Sequence, residues 1–338
     1  MPVRPCPSSS LSRRRFLELG AGLGAVVLVG GCGDDGTSAT ARSGSSAGAS
    51  AMTVRTCVYA KNHASSPLYW QRFAPEGVTV EVTPVASSAE VQSGLESGQF
   101  DAGLMGVYNT ITSTEETIRS RIVGMVSRQG LGLIGRKGEV EDVASLKGRK
   151  VAVPPPGVQG LVLSEMLKTS GLQLGRDVTP VPLGYADHPT ALERGDVSAY
   201  IGTEPLCTQS IVGGVGVRVP GAYDTVLGDF NTALWASSTT LEDPEKTRII
   251  VKMQKDAAEH LTPDGENDPE VWKDLLVTQF GYDEKVYEEV LDNVGADWRF
   301  DEERRKQFEG AGRTLLEAGT ISALPDFERF YATEYWDV

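Results

Sequence analysis

Cysteine and histidine are scarce in this 338-residue chain, with four and three copies. Zinc sites need such ligands at close spacing. Here Cys6, Cys32, Cys57 and Cys207 are scattered, as are His63, His188 and His260, so no metal centre and no cofactor is expected. Basic residues are also short, 32 Lys and Arg against 46 Asp and Glu, for a net charge of −14. Acidic chains do not bind phosphate backbones or anionic lipid electrostatically, which argues against a nucleic-acid partner. A long apolar run is missing as well. The Gly-interrupted stretch at 21–29 falls short of the roughly 20 residues that a membrane span needs.

That stretch instead has the length of a signal-peptide apolar region. Before it stands Ser12-Arg13-Arg14-Arg15-Phe16-Leu17, where consecutive arginines precede Phe-Leu as in a twin-arginine export signal. After it, Val29-Gly30-Gly31-Cys32 resembles a lipobox, which predicts cleavage before a lipidated Cys32. Residues 1–31 are therefore expected to be a lipoprotein signal, and 32–52 a flexible Gly/Ser/Ala tether that cannot bury a core. Removing four arginines and one glutamate takes the net charge from −14 to −17. Cys57 and Cys207 then remain, and both read as buried free thiols.

The folded part, from about residue 53, writes one unit twice. The first copy runs from Val82-Thr83-Pro84-Val85 through Leu95-Glu96-Ser97-Gly98 to Asp101-Ala102-Gly103-Leu104. The second runs from Val178-Thr179-Pro180-Val181 through Leu192-Glu193-Arg194-Gly195 to Ser198-Ala199-Tyr200-Ile201. The tetrads lie 97 positions apart (192 minus 95). In each copy a β-rich run is closed by proline, a short helix stops at glycine, and an apolar strand follows. Two such βαβ units predict two similar α/β lobes.

Around these copies the pattern predicts strands at 53–59, 78–85, 102–105, 122–126 and 131–135, then Lys150 to Val153 after Leu146-Lys147-Gly148-Arg149. Ser87 and Glu90 have capping-box spacing. Gly157 to Gly160 form a glycine-rich turn whose free N–H groups favour an anion ahead of a helix at 161–170. From Asp243 onward four acidic amphipathic helices are expected, at 247–260, 268–280, 283–294 and 301–318, with Asp243 and Asp301 as caps.

Residues 146–154 and the two repeated units together resemble substrate-binding proteins of ABC importers for nitrate, sulfonates and taurine, with their thiamine-pyrimidine relatives. Gly98-Gln99-Phe100-Asp101-Ala102-Gly103 matches the family pattern. Gly195-Asp196-Val197-Ser198-Ala199-Tyr200 departs from it only in carrying Ser198 where Asp is usual, and Glu204-Pro205 is a family dipeptide. The resemblance implies an α/β, two-lobed periplasmic-binding-protein type II fold with two crossing hinge segments and a C-terminal helical layer. Lobe I would comprise 53–136 plus 236–338 and lobe II 137–235, with crossings near 135–139 and 231–236.

By the same resemblance the chain would be a monomeric, non-enzymatic receptor on the outer face of the cytoplasmic membrane, serving a permease and its ATPase. Its ligand would be a small sulfonate, taurine or nitrate-type solute bound between the lobes. Carried loop by loop, the contacts would be Asn62, His63 and Ser65, then Ser87 and Ser88, then Tyr108 and Asn109. The second lobe would add Gly157, Gln159, Gly160, Tyr185 and Glu204, with Trp235 as an apolar wall. Asn62-His63 also occurs in the thiamine-pyrimidine branch, although Ala60 stands where that branch has Trp, so a pyrimidine precursor is the alternative ligand. Relatives on this fold also make pyrimidines or cleave carbon–sulfur bonds, but Cys57 lies within a strand, away from any histidine by spacing.

Overall fold

The computed structural model describes residues 52–112, 118–154 and 157–337. The expected export signal and Cys32 lie outside the described residues, as does the expected tether except for Met52, which belongs to the first strand. In chain order the first stretch is β1 (Met52–Tyr59), α1 (Trp70–Phe73), β2 (Val78–Val85), α2 (Ser88–Glu96), β3 (Ala102–Met105), α3 (Val107–Thr112) and β4 (Arg121–Gln129). The middle stretch is β5 (Leu131–Arg136), β6 (Lys150–Val153), α4 (Val158–Thr169), β7 (Thr179–Pro182), α5 (His188–Arg194), β8 (Ala199–Thr203), α6 (Leu206–Val212) and β9 (Gly216–Val219). The last is β10 (Phe230–Ala236), α7 (Ser238–Leu241), α8 (Pro244–Leu261), α9 (Pro269–Lys273), α10 (Glu284–Val290), β11 (Val294–Ala296) and α11 (Glu302–Glu317).

Strands β1 and β2 pair in parallel, and a four-stranded sheet runs β11-β4-β10-β3 beside them. Asp101 stitches the two pieces: its N–H donates to Arg55 O at 2.8 Å, and its carboxylate accepts from Arg55 N at 2.8 Å. Lys246 of α8 reaches the same carboxylate at 2.8 Å. The other sheet has five strands, β7-β6-β8-β5-β9.

The repeated unit is now visible as β2-α2-β3 and β7-α5-β8. In the second copy, β6 lies between the unit's two strands, and in the first, β1 pairs with β2 and packs on β3. Each unit is therefore a crossover over the strand that precedes it. Both tetrads end their helices in left-handed glycine, Gly98 at φ 73° and Gly195 at φ 78°, where a side chain would be strained. Just beyond, Ser198 N donates to Lys150 O at 2.9 Å, the equivalent of Asp101 N to Arg55 O. The substitution of Ser for Asp leaves this main-chain contact in place.

The four-stranded sheet is covered on both faces. Ile122, Met125, Ala233 and Trp235 point into a core shared with Phe308 of α11, whereas Val123, Val126, Leu234 and Ala236 point toward Ile250 and Val251 of α8. Burial on both faces explains why these strands read as continuous apolar runs. Aspartate caps hold the helical layer: Asp243 accepts from Lys246 N at 3.0 Å, and Asp301 from Glu303 N and Arg304 N at 3.0 Å each.

The passage between sheets differs from expectation. The run around residue 135 is not a crossing, because β5 pairs with β8 and β9 throughout. Nor is 231–236, because β10 lies wholly between β3 and β4. The chain changes sheet at Gln129-Gly130, and returns between β9 and β10. Two left-handed residues in succession, Gln129 at φ 56° and Gly130 at φ 77°, turn the backbone there. A buried apolar run gives no sign of which sheet it enters, so the crossings implied by the resemblance lie a few residues away from the observed turn.

At Gly130 a Cβ would lie 1.9 Å from His63 Nε2, but at Gly98 it would meet nothing within 4 Å. Both positions charge an alanine for its left-handed backbone, and Gly130 adds a collision. Gly98→Ala should cost roughly 1 to 2 kcal/mol and Gly130→Ala about 3 kcal/mol or more in urea unfolding. Equal costs would mean that the histidine contact contributes nothing.

Candidate functional site

In one half β1 and β2 run parallel, in the other β6, β7 and β8 do, and the carboxyl ends of β1 and β8 meet through Asn62, His63, Thr203 and Glu204. Open α/β sheets bind ligands at such carboxyl ends. On the first side, the loop 60–65 after β1 is folded by its own side chains. Asn62 Oδ1 accepts from Ala64 N at 2.8 Å, and Ser65 Oγ donates to Asn62 O at 2.6 Å. At the end of β1, the Tyr59 hydroxyl is bonded to Leu104 O at 3.2 Å and to the Ser88 hydroxyl at 2.7 Å. Ser87 caps α2, accepting from Glu90 N at 3.3 Å, while Glu90 accepts from Ala86 N at 2.9 Å.

On the second side, Gly157 is the N-cap of α4 and brings no capping side chain to its first amides. That helix begins at Val158, three residues earlier than the pattern suggested. Gln159 is buried and hydrogen-bonded to Tyr185. Burial pushes the Tyr185 phenol up to about 12. Burial likewise raises Tyr59, and the nearby Tyr185 adds to it, so both phenols are neutral donors at ordinary pH.

The two sides meet directly. Asn62 Nδ2 donates to Thr203 Oγ1 at 3.2 Å. His63 is 2% exposed and bonded at both ring nitrogens. The Asn231 amide donates to Nε2 at 3.1 Å, which leaves the proton on Nδ1, and Nδ1 donates to Glu204 O at 3.3 Å. The Glu204 carboxylate is fully buried, accepts from Thr208 N at 3.0 Å and is ion-paired with Arg218.

The geometry therefore sorts the residues singled out in the sequence. Ser88, Gln159, Tyr185 and Asn62 lie where the two sides approach. Gly157 stands at the start of α4, and a Cβ at Gly160 would touch only Val153, at 3.8 Å. Tyr108 and Asn109 sit in helix α3, not in a loop, and are half-buried. Ser65 is buried within its own turn, and Ser87 is engaged as a cap. His63 and Glu204 have their polar atoms engaged by the protein itself.

Trp235 is not a wall of the cleft. It is fully buried, donates to Met105 O at 3.4 Å, and packs on Phe308 and Phe330 at ring separations of 6.4 and 6.2 Å. Central strand β10 has no solvent face to offer it. Tyr59, Thr203, Asn231 and Arg218 went unremarked as site residues. Tyr59 and Thr203 carry a signal in hindsight, a polar residue ending a buried parallel strand. Arg218 shows none, because its partner is 14 residues away.

Cys57 and Cys207 are free and buried. Burial pushes Cys57 up to about 12 and Cys207 well above the ordinary thiol value. Among the described residues no helix is long and apolar enough to cross a membrane, and no group of three or more His, Cys, Asp or Glu is placed to hold a metal ion. A groove of ≈ 410 Å³ lies on the far side of the first sheet, beside Arg128, Thr262 and Trp298.

The profile of the NMT1-like family matches residues 69–276, more than half of the chain, and the chain belongs to that family. No curated protein sequence matches it. Among solved structures, the periplasmic aliphatic sulphonate binding protein SsuA from Escherichia coli superposes with a TM-score of 0.69 at 18% identity, over 84% of this chain and 99% of that one. The periplasmic nitrate-binding protein NrtA from Synechocystis PCC 6803 gives 0.65 at 16% identity, over 84% and 87%. The desulfurization enzyme DSZB gives 0.60 at 17% identity, over 85% and 98%. At such identities the likeness is one of fold, and the fold is that of the two-lobed type II periplasmic binding proteins expected from the sequence.

Burial pulls the rings of both His63 and His188 from 6.5 down to about 4. An unfolded chain takes up these protons near pH 6.5, the folded chain only near 4. Their contribution is therefore present above pH 6.5 and is lost as pH falls toward 4, at most roughly 3 kcal/mol for each ring. Buried Asp101 acts in the same direction at lower pH. Burial alone would raise it, yet Lys246 and Arg55 hold it below the ordinary carboxylate value. Thermal midpoints should rise from pH 4 to 6.5, and His63→Gln should flatten that rise. An unchanged slope in the variant would remove His63 from the account.

Proposed function

We propose that this protein is a solute receptor of an ABC importer. It is exported by the twin-arginine route, held at the outer face of the membrane by lipid on Cys32, and works as a monomer before its permease and ATPase. Its solute sits between the two sheets, which act as lobes I and II. One observation carries the reading: the carboxyl ends of β1 and β8 meet beside serine hydroxyls, the Tyr185 phenol, amides and the uncapped N–H groups of α4. Such neutral donors suit a sulfonate, taurine or nitrate-type oxyanion without a full counter-charge. The likeness of fold to sulphonate- and nitrate-binding proteins agrees with it.

The neighbouring phenols Tyr59 and Tyr185 favour a second reading, in which a flat pyrimidine precursor stacks on one of them. Catalysis is disfavoured by the candidate nucleophiles. DSZB shares the fold and is an enzyme. Here, however, Cys57 is a buried thiol held protonated, and His63 has no nitrogen free to act as a base.

The test is thermal unfolding of the purified protein against taurine, longer alkanesulfonates, nitrate and hydroxymethylpyrimidines. Solute at about a hundred times its dissociation constant adds about 2.7 kcal/mol, a rise of several degrees. A rise with an oxyanion supports the first reading. A rise with pyrimidines alone transfers the proposal to the second. Tyr185→Phe should weaken binding by about 1 kcal/mol if its hydroxyl touches solute. Absence of any shift, and of any co-purifying solute, would overturn the receptor reading.

A further inference from the structure

We propose that Asn62 and His63 form a clamp that fixes the angle between the two sheets, with His63 as a positioning residue and not a solute contact. The observations converge on one place. His63 lies on the loop after β1, in the first sheet's half. Its Nδ1 side is bonded to Glu204 O beyond β8, in the second. Its Nε2 side is bonded to Asn231 of β10, and the same Asn231 amide also donates to Gln129 O, where the chain crosses between sheets. Asn62 makes a parallel bond to Thr203, and Thr203 Oγ1 donates to Gly130 O at 3.1 Å. Glu204 N donates to Gly130 O at 3.0 Å. The imidazole thus fills the space that a side chain at Gly130 would need, and it ties one exit loop to the other and to the crossing itself.

Around this ring the protein has no slack hydrogen-bonding group. Asn231 Oδ1 accepts from Thr232 at 2.8 Å, and the Glu204 side chain is anchored by Arg218 and Thr208 N. The carbonyl that receives His63 is therefore held by a buried ion pair one residue deep. On the crossing's other strand, Tyr223 both donates to Leu131 O at 3.0 Å and accepts from Leu131 N at 3.3 Å. Side chains bonded at both ends across two bodies set their relative orientation, because any rotation must break a buried bond. A solute entering between the sheets would act on a preset angle, and would not itself have to supply the order.

Pulsed electron resonance between nitroxides on Glu81→Cys and Glu193→Cys, both exposed and one in each half, measures that angle in the full protein. Cys6 and Cys32 are replaced by serine, and the buried Cys57 and Cys207 do not compete for label. Without added solute the parent should give one narrow distance. His63→Phe, which keeps the ring volume but not the bonds, should lose that single peak and shift to longer distances, whereas His63→Gln should retain it. Asn231→Leu should behave like His63→Phe. Asn62→Ala, at a partly exposed position, should shift the distribution less but in the same direction, and carries the test if the buried variants fail to fold by circular dichroism. A broad parent distribution, or a folded variant among His63→Phe, Asn231→Leu and Asn62→Ala with an unchanged narrow peak, overturns the clamp. Since no solute enters the measurement, the result stands apart from the receptor reading.

Discussion

The left-handed turn at Gln129-Gly130 is the constraint on which the rest of the structure depends. It carries the chain from one sheet to the other, and it can do so only if nothing occupies the space beside Gly130 except the His63 ring. That ring is held on one side by Asn231 and on the other by Glu204. The strand ends of both halves are thereby brought to a common surface at a fixed separation. Move the turn by one residue and the partners of β5 and β10 change sides, because side chains alternate along a strand.

The second constraint is electrostatic. A chain this acidic could be expected to place charge wherever a polar function is needed, yet the buried side chains described where the loops meet are mostly uncharged. Among the described residues there, the buried carboxylate of Glu204 is matched by Arg218. Breaking such a buried pair leaves an uncompensated charge, which is far more costly than the pair is stabilising. Its value here is positional: it locks the main chain at residue 204, and so the acceptor of the His63 proton. Beside it, the described groups between the halves include phenols, amides and the N–H groups of α4, whose fields are fixed by the fold.

Much of this was legible in the sequence where local chemistry is forced. The paired tetrads marked Gly98 and Gly195 because a helix that stops in the left-handed region needs glycine, and the strand-helix-strand order followed from them. The aspartate caps were readable for the same reason, since orphan amides want a nearby acceptor. The family and fold followed from the repeat together with the 146–154 segment. What stayed hidden was long-range. Nothing near residue 135 says that β5 pairs with β8, nothing near Trp235 says that Phe308 and Phe330 will cover it, and nothing near His63 says that Asn231 waits 168 positions away. The loop was legible, but not the bonds within it: Ser65, His63 and Glu204, placed by resemblance as solute contacts, also carry hydrogen bonds within the protein.

That last difference alters how the site is to be read. A binding surface needs atoms with hydrogen-bonding capacity left over once the fold has used its share. By that count His63 has no remaining site, and neither does the Asn231 amide. Tyr59 is bonded to both Leu104 O and Ser88, so its single proton is already used within the protein. The uncapped amides at the start of α4 can only donate. Under the proposed receptor function, a solute reaching α4 would meet donors there and would need to present an acceptor to them.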